Sequence, residues 1–141
     1  MSFAEKNTWL WVVIGVVVPG AYIVSILSQL RTTAAAQIAY EQPMLISIGV
    51  VIALSILGAI GTAIISGGDT KEDPRDKEID RFGEYAGYWL MMLGAVAVMG
   101  MAMAKFDHFW IANTIYVAGV LSGLVGSVVK IASYRLGLQS W

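Results

Sequence analysis

No cysteine occurs in the 141 residues, which removes disulfides, thiol catalysis, iron–sulfur ligation and thiolate zinc sites together and leaves the redox compartment open. Histidine occurs once and the net charge is -1, so the molecule offers no strong electrostatic pull on nucleic acid, and direct nucleic-acid binding is not expected. Charged residues are also scarce. They make up 13% of the chain against 57% hydrophobic, with a mean hydropathy of +0.70, too apolar for a globule with a solvated surface.

What the chain has instead is four long apolar runs, at about 8–30, 43–66, 84–104 and 109–130. Each is long enough to cross a hydrocarbon slab of roughly 30 Å as a helix. The runs use up most of the sequence, so residues 1–141 are expected to form a single membrane domain. The fold class this predicts is all-α and polytopic, with four transmembrane helices arranged as two hairpins. The first run exceeds a signal-peptide core, and no small-residue cleavage site breaks it before Gln29; it reads as a retained span.

Lys and Arg decide the orientation, because short cytoplasmic connections collect positive charge. With the N-terminus inside, Lys6, Lys71, Arg75, Lys77, Arg81, Lys130 and Arg135 lie on the cytoplasmic side, and only Arg31 and Lys105 outside. Both termini and the charged stretch 67–84 are therefore predicted to be cytoplasmic.

That stretch carries its own helix signals. Asp73 at the N-cap, Pro74 at the first helical position and Asp76 three residues on form a carboxylate variant of the capping box, suited to the positive end of the helix dipole. An amphipathic cytoplasmic helix is expected over about 73–84, with Ile79, Phe82 and Ala86 on its apolar side. Lys77 with Asp80 and Arg81 with Glu84 are spaced to pair on the wet side. No Pro separates it from the third span, so either one long helix or an elbow near Gly83 follows. The preceding SGGDT reads as a flexible linker between the hairpins. Ser2 and Glu5 make a second capping box at the N-terminus.

Small residues mark the faces where helices can approach closely. Gly119, Ser122, Gly123 and Gly126 form such a stripe on the fourth span, running on to Ser127 and Lys130; Ser47, Ser55, Ala59 and Ala63 form one on the second. They face either the bundle itself or a second copy of the chain. Trp9, Trp11, Tyr85, Tyr88, Trp89, Trp110 and Tyr134 fall where interfacial rings anchor at headgroup level. Pro19, in mid-span, predicts a kink that serves packing or gating. The Met residues between Met91 and Met103 form no single stripe and read as adaptable filler.

Chemistry is hard to assemble from this set. None of the spans holds Asp, Glu, Lys, Arg or His near its centre, which argues against an ion-coupled carrier or proton relay. Asp107 and His108, with Asn113 one turn on and Glu41 from the other outer loop, are the weak metal or headgroup candidates. A single His with an adjacent Asp is a poor metal signature, and the plainer reading is that Asp107 caps the fourth helix. No nucleophile with a base, paired carboxylates or phosphate loop can be built. Neither an enzyme nor a cofactor is expected.

The segments DPRDKEIDRFGEYAGYWLM and MAKFDHFWIANTIYVAGVLSGLVGSVVKIASYRLG, together about 73–137, resemble the C-terminal half of a group of small, mainly actinobacterial, four-helix integral membrane proteins of unknown function, marked by a DERDKEI-like box, an FWIAN hairpin and a final YRRG. The chain departs from that pattern at Pro74, where Glu is frequent, and at Leu136, where a second Arg is usual. The resemblance implies a multi-pass protein of the bacterial cell membrane. It also implies an association with a very small helix-turn-helix regulator, often found beside such proteins.

The expected function is that of a non-enzymatic accessory subunit or membrane tether. In that reading Arg75, Asp76, Lys77, Asp80, Arg81 and Arg135 form a cytoplasmic surface for anionic lipid or a protein partner, either a subunit of a larger complex or the small regulator. The alternative is a homo-oligomeric channel or small-molecule transporter built on the Gly/Ser stripe and the Pro19 kink. A simpler account of the same charges is that they only set topology.

Overall fold

The Ser2 hydroxyl accepts the Glu5 N–H at 3.2 Å, and this cap opens α1, Phe3–Leu30. The computed structural model describes residues 2–68, 71 and 73–137. After a short 3-10 turn at Ala35–Gln37 come α2, Glu41–Ile65, α3, Pro74–Met103, and α4, His108–Leu136. All four helices are long and apolar enough to cross a membrane. The all-helical reading, with four helices of membrane-crossing length and apolarity, therefore holds.

Connections follow from local chemistry. At the end of α2, Gly67 and Gly68 adopt φ of 67° and 78°, and their N–H groups donate to the Ile64 and Ala63 carbonyls at 3.0 and 3.1 Å. Residues 66–68 are thus a closed helix-terminating turn, which only Gly fits without strain, rather than the free linker expected from SGGDT; Asp69 and Thr70 lie outside the described residues. Asp73 opens α3, its N–H donating to the Asp76 carboxylate at 3.3 Å, with Pro74 at the first helical position. The helix then runs unbroken to Met103, so of the two forms expected for this segment the continuous one is present and there is no elbow at Gly83.

α3 packs along α4 most extensively, and α1 packs on both α2 and α4. The helices thus stand in the order α2, α1, α4, α3, with α2 and α3 at the edges. Few apolar side chains are buried: Ile14, Tyr22, Ile26, Ile38, Ile79 and Phe109 among the described residues. Leu45, Leu57, Ile64, Leu93 and Met103 are each more than half exposed. Such an exterior suits hydrocarbon as solvent, where helices satisfy their own backbone polar groups.

A buried apolar cluster lies at the pole away from the termini. Tyr22, Ile26, Ile38 and Phe109 form a cluster there, with the Tyr40 and Phe109 rings edge to face at 5.4 Å.

Candidate functional site

Glycines position the site, because α3 and α4 are antiparallel and touch where both lack side chains. A Cβ on Gly87 would lie 2.7 Å from the Ser122 carbonyl oxygen, and one on Gly126 would lie 2.9 Å from the Gly83 carbonyl oxygen. The Ser122 hydroxyl donates to the Gly87 carbonyl at 2.8 Å. Nearer the termini the same register brings Asp80 to Lys130 at 2.6 Å, then Asp76 to Tyr134.

This seam changes the expected use of the charges. Asp80 pairs across helices with Lys130, and neither the Lys77–Asp80 nor the Arg81–Glu84 pair forms: a partner delivered by tight helix contact displaces the local i, i+3 neighbour. Asp76, expected on the partner face, is buried, as are Ile79, Gly83 and Gly87. Phe82, expected on the inward face, is 41% exposed, because glycines rather than Phe set which side of α3 meets α4. Asp73, Asp76 and Arg75 line a recess of about 260 Å³ with Ser2, Glu5 and Tyr134. The Tyr134 phenol, in the turn of α4 past the 109–130 run, is made less acidic than an ordinary phenol, its pKa raised by burial first and then by the Asp76 carboxylate. It is therefore a packed group, unlike the exposed interfacial rings Tyr85, Tyr88, Trp89 and Trp110.

Four members of the expected surface differ in what remains free. Arg75, Lys77 and Arg81 are exposed, Arg75 while also lining the recess beside Asp76. Arg135 is exposed too, but its guanidinium stands 5.7 Å from the Trp9 ring centroid, which ties the end of α4 to α1.

The small-residue stripe divides. Ser122 and Gly126 meet α3, as above. Gly119 and Gly123 have nothing within 4 Å of where a Cβ would stand; they line open space. On α2, buried Ser55 donates to its own Val51 carbonyl at 2.6 Å and Ala59 is half-buried, while the close approach there is that of the Leu10 side chain of α1 to Gly58.

Two hollows meet at Gly123. One, of about 340 Å³, lies between α1, α2 and α4, with Gly15, Pro19, Ile48, Val51 and Gly119 in its almost wholly apolar wall. The other, of about 420 Å³, lies between α1, α3 and α4 and includes Thr8, Glu84, Tyr88, Ser122 and Lys130. Trp11, Gly123 and Ser127 belong to both. Pro19 supplies no N–H, so the Gly15 carbonyl loses its usual helical donor.

At the opposite pole Glu41, Asp107 and His108 do share a recess, of about 400 Å³, yet no three His, Cys, Asp or Glu side chains converge for a metal among the described residues. Asp107 occupies the N-cap position of α4 but makes no side-chain cap hydrogen bond, contrary to expectation; its carbonyl accepts the Trp110 N–H at 3.0 Å instead. Asn113 turns inward rather than toward that recess. Its side-chain oxygen accepts from the Tyr22 hydroxyl at 2.7 Å and its amide donates to the Phe109 carbonyl at 2.8 Å. Ser47 and Tyr116 hydroxyls share a hydrogen bond of 2.6 Å, and the Tyr22 and Tyr116 rings stand 4.7 Å apart. This inter-helix polar cluster was not anticipated as a unit; the signal available was four hydrogen-bonding side chains inside apolar runs.

No protein-family model, curated protein or solved structure matches the chain.

Proposed function

We propose that this chain is a multi-pass protein of the bacterial cell membrane, with both termini cytoplasmic, acting as a non-enzymatic accessory subunit or tether. The observation that carries the reading is that the first turns of α3 are fixed to the bundle by the Asp80–Lys130 pair while Arg75, Lys77 and Arg81 remain exposed. A rigid helix end presenting three bases loses little side-chain and backbone entropy on meeting an acidic partner, compared with a loose tail. The partner is a protein with an acidic surface: another subunit of a membrane complex, or the small helix-turn-helix regulator that the sequence resemblance implies. The excess of Lys and Arg on the side of the termini supports the orientation.

The test is co-purification from native membranes of the wild type and of a variant with Arg75, Lys77 and Arg81 changed to Glu. Lys6, Lys71, Lys130 and Arg135 are kept to hold topology. Loss of a stoichiometric companion supports docking; retention of every companion means that these bases only set orientation.

A second reading, a homo-oligomeric channel or small-molecule transporter, is favoured by the open space beside Gly119 and Gly123. Flux through reconstituted vesicles no greater than through empty ones discards it.

A further inference from the structure

Both hollows beside α1 fall within the volumes, about 300–1,000 Å³, of small-molecule sites, and they differ in character. The wall between α1, α2 and α4 is apolar, with Ile48, Val51, Pro19 and bare Gly119 backbone. The wall between α1, α3 and α4 carries the ionisable groups Glu84 and Lys130 with the rings of Trp11 and Tyr88. Gly123, with no atom within 4 Å of its missing Cβ, leaves the junction between the two open. The geometry is that of a bent trough with one greasy arm and one polar arm.

Charge selects what fits the polar arm. Lys130 is already neutralised by Asp80, and the hydroxyls of Thr8 and Ser122 are spent on the Ala4 and Gly87 carbonyls. Glu84 has no ion pair among the described residues, so the arm is left with one uncompensated carboxylate beside two aromatic rings. A phosphate headgroup would be repelled there. A cationic headgroup would gain both the carboxylate and the ring faces.

We propose that the joined hollows around Trp11 bind an amphiphile with a single alkyl tail and a cationic head, the tail lying along Gly119 and Pro19 and the head at Glu84, Trp11 and Tyr88. This site is separate from the exposed bases of the docking face and stands whether or not that face has a partner.

The test uses the full chain in nanodiscs of phosphatidylcholine and brominated dodecyl amphiphiles that quench tryptophan on contact. Saturable quenching by the trimethylammonium form is expected, largely lost in Trp11→Phe. Glu84→Gln should weaken it at least about fivefold, and Gly119→Leu, which fills the tail arm without touching the charge, should weaken the neutral and cationic forms alike. Glu84 is exposed and its side chain makes no hydrogen bond among the described residues, so its substitution leaves packing intact; unchanged circular dichroism checks that. Non-saturating quenching that tracks bilayer partition would overturn the proposal. So would equal affinity for the sulfate and trimethylammonium forms, or affinity unchanged by Glu84→Gln.

Discussion

Adding one methyl group at Gly87 tests the seam that the rest of the account depends on. In Gly87→Ala the new Cβ would stand 2.7 Å from the Ser122 carbonyl oxygen and 3.2 Å from its hydroxyl oxygen. The first of these is backbone, which cannot swing aside, so α3 and α4 must separate by several tenths of an ångström. Overpacking of this kind costs about 1–3 kcal/mol, and the inter-helix bond from Ser122 to Gly87 is stretched at a further cost of about 0.6 kcal/mol. Helix propensity opposes both by up to about 1 kcal/mol. Gly100→Ala, in the same helix, isolates the effect: nothing lies within 4 Å of its Cβ position, so it receives the propensity gain alone. The difference between the two variants is then the packing cost together with that of the stretched hydrogen bond, about 1.6–3.6 kcal/mol. Reversible unfolding by sodium dodecyl sulfate in mixed micelles, followed by circular dichroism, reads that difference. Two alanine variants of equal stability would refute a close α3–α4 approach at this point.

Other perturbations follow from the same structure. Asp80→Asn with Lys130→Gln, taken as a double-mutant cycle, is expected to give a coupling of about 1 kcal/mol or less, since Asp80 is half exposed and screening discounts the pair. Tyr22→Phe removes an inter-helix hydrogen bond to Asn113 and should cost about 0.6–2 kcal/mol by the same unfolding assay. Lys105 stands at φ 57° in the α3–α4 turn, so Lys105→Gly should stabilise by about 1 kcal/mol by relieving that strain. Burial and Asp76 raise the Tyr134 phenol above its ordinary value of 10.0. The folded state therefore favours the neutral phenol, and stability present below pH 10 falls as pH rises beyond it. Tyr134→Phe should remove that alkaline slope in a melting series.

The four helices were legible because length and apolar content alone decide what fits hydrocarbon. Their starts were legible where a side chain meets its own backbone, as at Ser2 and Asp76. What could not be read was register between helices. Asp80 sits at suitable spacing for Lys77, and nothing local says that Lys130, fifty positions away, is brought closer. The inward face of α3 was misassigned for a related reason: Phe82 looks like a buried residue by hydropathy, while Gly83 and Gly87 look like a bend. In lipid the ordering reverses, because burying Phe gains little against acyl chains and bare backbone lets helices close. The Gly and Ser stripe of α4 was visible, and matching it to the Gly83 and Gly87 spacing on α3 would have given the seam. The polar cluster of Tyr22, Ser47, Asn113 and Tyr116 required three helices in place before its members became neighbours.

The central claim is that the docked first turns of α3 present bases to a protein partner. Site-directed photocrosslinking in living membranes tests it most directly, with the photoreactive residue placed at Lys77, on the docking face, or at Leu93, exposed on the apolar length of the same helix. The account predicts a discrete protein adduct from position 77 that disappears when Arg75 and Arg81 are reversed in charge, and lipid adducts alone from position 93. No protein adduct at 77, or the same adducts from both positions, would contradict it.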